Sequence, residues 1–261
     1  MNLPELELII PEWPAPKNVK AVITTRKGGV SKSPYDSFNL AMHVDDNADD
    51  VATNRERLKQ SLQLENEPVW LTQTHSNKVV EASSYIASDE ADACYTSEVN
   101  KPCTVLTADC LPILICNKQG TWVEAIHAGW QGIARRVIEA SILAYPGQKT
   151  ELMAYFGPAI GPDHFEVQND VLDACTADLT SAQKKIFIKK CFKPIEGKDG
   201  YYLCNIYELA RQRLHKCGVQ EIYEGAYCTY REKEWFYSYR RDCAGGEKKT
   251  GRMASLIWLS E

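Results

Sequence analysis

Two histidines and a cysteine each stand at the end of a short apolar run: His75 after 69–72, Cys110 after 103–108, and His127 closing 122–127. Runs of this length and composition predict strands. In α/β folds reactive groups gather at strand ends, where loops expose them to a cleft. Imidazole and thiolate are the ligand types of catalytic zinc, three protein donors leaving a fourth position open. Sulfur with imidazole suits copper equally well. The three residues are far apart in the chain, so their spacing leaves open whether they share a metal or are hydrogen-bonded structural groups. Thiol chemistry is a further reading, with Cys110 as nucleophile and a histidine as base. Asp109 beside Cys110 is a candidate acid/base carboxylate, although neighbours on a strand point to opposite faces.

Arg55 is a second candidate. Helical spacing over 49–62 puts Val51, Leu58 and Leu62 on one stripe, with Asn54 and Arg55 on or beside it. A guanidinium turned inward needs a partner or an anionic ligand, so a structural ion pair and a substrate pocket both remain open. His43 lies close by in sequence. Acceptors spaced from Asp45 resemble a calcium loop, but Asp50 stands where the sharp turn needs glycine, and the segment reads as an acid-rich helix N-terminus. Arg26 and Lys27 precede Gly28-Gly29, a pair that forms either a tight turn or an anion-holding loop.

The elements that must position these groups alternate along the chain. Strands are expected at 19–25, 69–72, 103–108, 113–116, 122–127, 152–156 and 253–259. Helices are expected at 49–62, at 132–145, and at 205–217, where Asn205 caps and Gly218 stops. No repeat, linker or low-complexity segment divides the 261 residues, so one mixed α/β domain over 1–261 is expected. A net charge of −5 argues against a nucleic-acid or anionic-membrane surface. No apolar run approaches the ~20 residues that span a bilayer, and the N-terminus lacks a leader signature. The ten cysteines contain no Cys-x-x-Cys pair and read mostly as small buried hydrophobes in a reducing compartment. His164 and His215 read as surface residues.

Taken in order, several segments resemble one family. They are Thr24-Thr25-Arg26 with Gly28-Gly29-Val30-Ser31, Phe38-Asn39-Leu40 with His43-Val44, Asn54-Arg55, Gln73-Thr74-His75-Ser76 and Ala91-Asp92-Ala93. Then come Thr107-Ala108-Asp109-Cys110-Leu111-Pro112, His127-Ala128-Gly129-Trp130, Gly157-Pro158-Ala159-Ile160-Gly161-Pro162, Cys228-Thr229 and Phe236-Tyr237-Ser238-Tyr239-Arg240-Arg241-Asp242. The series resembles the YfiH-type laccase-domain family, also called the multicopper polyphenol oxidase or purine nucleoside phosphorylase family, over nearly the whole chain. Departures at Asp45-Asp46, Asp163-His164 and Gln168 flank these motifs and bear on substrate preference.

The resemblance implies a cytoplasmic, single-domain α/β/β/α sandwich with mixed sheets, related to bacterial toxin deamidases, acting as monomer or homodimer. It implies one zinc per chain, or copper, on His75, Cys110 and His127. It implies phosphorolysis of adenosine, inosine and methylthioadenosine, with adenosine deamination, so that the partners are a nucleoside and phosphate. Within that expectation Arg26, Ser31, Asn39, Arg55 and Gln73 are candidates for binding substrate or phosphate, and His43 for protonating the leaving base. The alternatives are a hydrolase or amidase acting on a peptidoglycan precursor with the same Cys/His site, and a phenol-oxidising laccase. Oxygen reduction by a laccase needs a set of coppers and many histidines, and this chain has five histidines in all.

Overall fold

The structure is a computed structural model, in which residues 5–246 and 249–261 are described. Residues 1–4, part of the stretch considered for a leader, lie outside them. Two sheets stack face to face. The first has the order β1 (Leu8–Ile9), β2 (Val19–Thr24), β14 (Met253–Leu259), β6 (Cys103–Thr107) and β3 (Val69–Trp70). The second has the order β13 (Glu221–Glu224), β9 (Leu152–Phe156), β7 (Leu111–Asn117), β8 (Val123–Ala128), β5 (Ala93–Thr96) and β4 (Val79–Glu81). Both are mixed, since β3 runs parallel to β6 while β4–β5 and β9–β13 are parallel pairs in otherwise antiparallel sheets. A small third sheet joins β10 (Glu166–Gln168), β12 (Tyr201–Cys204) and β11 (Phe192–Pro194).

Strand periodicity explains the layers. Along β14, Ala254, Leu256 and Trp258 face the helix α1 (Ala48–Ser61), where they meet Leu58, Phe38 and Leu40. Ile257 and Leu259, on the other face, meet Leu114, Cys116 and Ala125 of the second sheet. Along β7, Leu111, Ile113 and Ile115 turn instead to a helical layer. That layer is built from α2 (Trp130–Ala134), α3 (Val137–Ala144), α4 (Asn169–Thr176), α5 (Ser181–Cys191) and α6 (Ile206–Lys216), with the short α7 (Tyr239–Asp242) elsewhere. Because β7 is covered on both faces, it reads as a continuous apolar run rather than an alternating one. The result is the expected α/β/β/α sandwich. Each fully buried Leu or Ile contributes roughly 1.5–3 kcal/mol to holding it together.

The helix ends follow their sequence signals. Asn47 caps α1, its Oδ1 accepting from the amides of Asp49 and Asp50 at 2.9 and 3.1 Å, which accounts for the acidic cluster there. Asn205 caps α6. The helix expected over 132–145 is two helices. The chain breaks at Arg136, which takes a left-handed conformation (φ 73°), and Arg135 donates from Nη1 to the His75 carbonyl at 2.7 Å. A tertiary contact to the loop carrying His75 therefore interrupts a stripe that periodicity alone reads as continuous. Strands β1, β4, β5 and β10–β13 and helices α4, α5 and α7 were not expected, being short or weakly patterned. None of the ten cysteines is disulfide-bonded, and no helix among the described residues is long and apolar enough to cross a membrane.

Candidate metal centre and its cavity

Hairpin β7–β8 brings two of the three donors together. Its register pairs Leu111 with Ala128 and Pro112 with His127, so Cys110, one residue before β7, lies beside His127 at the open end. His75 arrives from a separate loop, captured by Asp92. The Asp92 carboxylate is fully buried and accepts from the amides of Thr74 (3.2 Å), His75 (3.0 Å) and Ser76 (2.6 Å), from Ser76 Oγ (2.7 Å), and lies 2.8 Å from His127 Nδ1. Three successive amides wrapped on one carboxylate hold His75 in a left-handed conformation (φ 57°), a strain the surrounding bonds offset.

The donor atoms of His75, Cys110 and His127 lie within 4.8 Å of one another, with His75 Nε2 3.5 Å from Cys110 Sγ. Because Asp92 engages His127 Nδ1, Nε2 is the nitrogen turned to the cluster. The electrostatics are those of a site built for a cation. Burial pushes the Cys110 thiol up, but the two imidazoles outweigh it and bring it down to about 6. Burial pulls His127 down, and Cys110 with Asp92 more than reverse this, to about 9. Without a metal the site therefore holds a thiolate beside an imidazolium. A Cβ on Gly129 would lie 2.8 Å from Cys110 Sγ and 2.7 Å from His75 Cδ2, so only glycine leaves the space between the donors open. One thiolate and two oriented imidazoles fit zinc, with a fourth position facing the cavity.

That cavity, of about 500 Å³, mixes two kinds of side chain. Trp130, Ile160, Phe165 and Ile206 are apolar and partly aromatic, His43, Arg252, Arg240 and Tyr239 are polar or cationic, and the Arg240 guanidinium lies 5.5 Å over the Phe165 ring. His43 remains exposed at the rim, yet partial burial and the charges of Arg252, Arg55 and His127 lower its pKa, so it is neutral at pH 7. Arg252 donates from Nη1 to the Thr250 and Gly251 carbonyls and has no carboxylate partner among the described residues.

The other sequence candidates fall in three places. Arg55 lies just beyond His43, in an adjoining cavity. Its Nε donates to the Leu40 carbonyl at 2.9 Å, its plane covers the Trp70 ring at 4.0 Å, and burial lowers its pKa to about 10. Gln73 borders both cavities, but both ends of its amide are spent on the Leu106 backbone, at 2.8 and 2.7 Å. Asp109 borders the metal cavity but takes an anchoring part. Its Oδ1 accepts from Thr229 Oγ1 (2.6 Å) and its Oδ2 from Ser238 Oγ (3.0 Å) and the Arg240 amide (2.7 Å). Burial raises its pKa despite those donors, and its left-handed turn (φ 87°) presents Cys110.

Arg26, Ser31 and Asn39 are not brought to the metal. Arg26 lines a surface cleft with Lys27, Asp36 and Lys233, donating to the Asp36 and Lys233 carbonyls. Ser31 and Asn39 belong to a closed network around Asn54, whose Nδ2 donates to Ser31 Oγ (3.0 Å) and the Asn39 carbonyl (2.9 Å). Asn54 Oδ1 accepts from the Val30 amide and Ser37 Oγ from the Gly29 amide, so those two amides of the paired-glycine turn are already spent on side chains. The residues that sequence reasoning passed over are Asp92 and Arg252. Their signals were an acid framed by Ala91 and Ala93, and a cation leading into the apolar run 253–259.

The chain was compared with known proteins. The profile of the family described as multi-copper polyphenol oxidoreductase laccase matches residues 20–260. A protein named purine nucleoside phosphorylase YfiH from Escherichia coli is 46% identical over 97% of this chain and 99% of its own. One named purine nucleoside phosphorylase from Haemophilus influenzae is 44% identical over 97% and 100%. A crystal structure of a Neisseria meningitidis protein superposes with a TM-score of 0.88 at 43% identity, covering 97% of this chain and 99% of that one.

Proposed function

The chain belongs to the multi-copper polyphenol oxidoreductase laccase family, and within it we propose that the protein is a zinc-dependent purine nucleoside phosphorylase. The substrates are adenosine, inosine and methylthioadenosine, with adenosine deamination at the same site. The observation that carries this reading is the convergence of His75, Cys110 and His127 at a cavity that they share with aromatic side chains and with Arg240 and Arg252. The names of the relatives point the same way.

Bound between the three donors, zinc supplies a Lewis-acid centre with one open position. Trp130 and Phe165 give a purine ring a flat apolar surface. Phosphorolysis also needs a bound dianion and a proton for the leaving base. Partial burial, with the charges of Arg252 and Arg55 adding to it, lowers the His43 pKa. A phosphate bound beside Arg55 offsets part of that charge and favours the protonated His43 that the leaving base needs. Asp92 holds His127 Nε2 and the His75 loop in place.

A laccase reading finds little support in the ligands. A multi-copper set needs more donors than the one three-residue cluster found among the described residues. A metal-free thiol reading rests on one specific observation, the lowered Cys110 thiol beside His75. Turnover that survives chelation but not alkylation would favour it, and the amidase alternative would share that site.

The test is product analysis with adenosine, with and without phosphate, before and after removal of metal. Free adenine that requires phosphate and metal supports phosphorolysis, and inosine marks the deaminase. No turnover of adenosine or inosine under any of these conditions refutes the reading.

A further inference from the structure

A second cavity of about 660 Å³ adjoins the metal cavity and shares His43, Gln73 and Leu106 with it. Its chemistry differs. Its lining is polar and apolar in about equal measure, with Val69 and Trp70 beside Thr72 and Tyr85, and its charged residues are Arg55 and Lys101. No aspartate or glutamate lines it, although the chain as a whole carries a net charge of −5. The Arg55 guanidinium is fixed in place by its Nε bond to Leu40 and by the Trp70 ring beneath it. The nearest acid, Glu67, is occupied by Trp70 Nε1 at 2.9 Å and Lys59 at 3.6 Å. Two cations with no carboxylate ion-pair partner among the described residues, lining one cavity, form a site for an anion.

We propose that this second chamber is the phosphate site, so that the two co-substrates occupy separate chambers that meet at His43. The inference rests on the phosphorylase reading. The nucleoside lies in the metal cavity with its base against Trp130 and Phe165, and its anomeric carbon comes to the junction. A phosphate oxygen, presented from Arg55 and Lys101, forms the new bond to that carbon. The bond from carbon to the purine nitrogen breaks, its electron pair leaves with the base, and His43 donates the proton. The products are a sugar 1-phosphate and the free purine. The sugar phosphate leaves through the second chamber, past the exposed Met42, and the base leaves through the first.

The test measures binding of inorganic phosphate by calorimetry, and the Michaelis constants for phosphate and inosine, in the wild type, Arg55→Gln, Lys101→Glu and Arg252→Gln. Lys101→Glu serves as the second chamber variant, because Lys101 makes no bond the fold depends on and this change reverses its charge. The expected result is phosphate affinity at least about tenfold weaker in both chamber variants, an unchanged KM for inosine, and phosphate binding in Arg252→Gln within about twofold of wild type. Wild-type phosphate binding in Lys101→Glu together with a folded Arg55→Gln overturns the inference, as does loss of phosphate binding in Arg252→Gln alone. Should phosphate bind through Arg55 and Lys101 while no nucleoside is phosphorolysed, the phosphorylase reading falls and the anion chamber stands.

Discussion

Two carboxylates sit fully buried in the same sheet and meet opposite fates. Asp92, just before β5, receives five hydrogen bonds and, against the upward push of burial, is held at about 2. Glu124, on β8 opposite Tyr95 and Ile115, has no hydrogen-bond partner for either oxygen among the described residues. Ser141 and Lys149 are nearby, but burial wins and pushes Glu124 up to about 8. Neither carboxylate is exposed, but Glu124 lies deeper in the protein and also lacks the donors that Asp92 has, and both differences push it up. Asp92 is a charge that organises a metal site; Glu124 is a neutral acid buried under α3. The Asn54 network makes the complementary point. It is as polar as the metal centre, but its Asn54, Ser31 and Asn39 side chains are spent on other protein groups, whereas the donors of His75, Cys110 and His127 converge on open space.

The largest break in this comparison should come from His127→Ala, which removes the link between Asp92 and the cavity. Turnover is expected to fall on the order of 1000-fold, about 4 kcal/mol of barrier. Metal content by elemental analysis should fall with it while circular dichroism stays native; retained metal and turnover would rule out the centre. Asp92→Asn should act next. It keeps the shape but loses the charge that three amides and His127 share, and zinc affinity measured against a competing chelator should drop about 10- to 100-fold.

Glu124→Gln sharpens the contrast through pH. The folded state keeps a proton that the unfolded chain releases above its ordinary value near 4.5. Native stability therefore declines as pH rises from there to about 8 and levels off beyond. The glutamine variant cannot ionise, so its advantage in urea unfolding should be nil near pH 4 and on the order of 2–4 kcal/mol at pH 8.5. A constant difference across that range would show that Glu124 is ionised in the fold. The smallest effect is expected from Arg26→Ala, in a cleft separate from the metal cavity. Here kcat/KM should stay within about twofold and stability within about 1 kcal/mol. A large loss of activity would return Arg26 to the site.

Much of the architecture was legible because it rests on local regularities. Period-two alternation along 253–259 and the uninterrupted run in β7 identify strands covered on one or both faces, and the cap at Asn205 starts its helix. The three donors were legible as residue types at strand ends, and the series of motifs placed them in a family. What the chain could not show by itself is which polar groups are already satisfied. Ser31, Asn39 and Gln73 carry motif signals yet are spent on backbone and side chains, while Arg252, which had no such signal, lines the cavity with no carboxylate partner among the described residues. Hydrogen-bond satisfaction depends on partners more than a hundred positions away, such as Thr229 and Ser238 on Asp109. Those partners are chosen by sheet register and by the stacking of layers. Local periodicity fixed the elements and the chemistry they carry; tertiary structure decided which donors were used up and which were left facing open space.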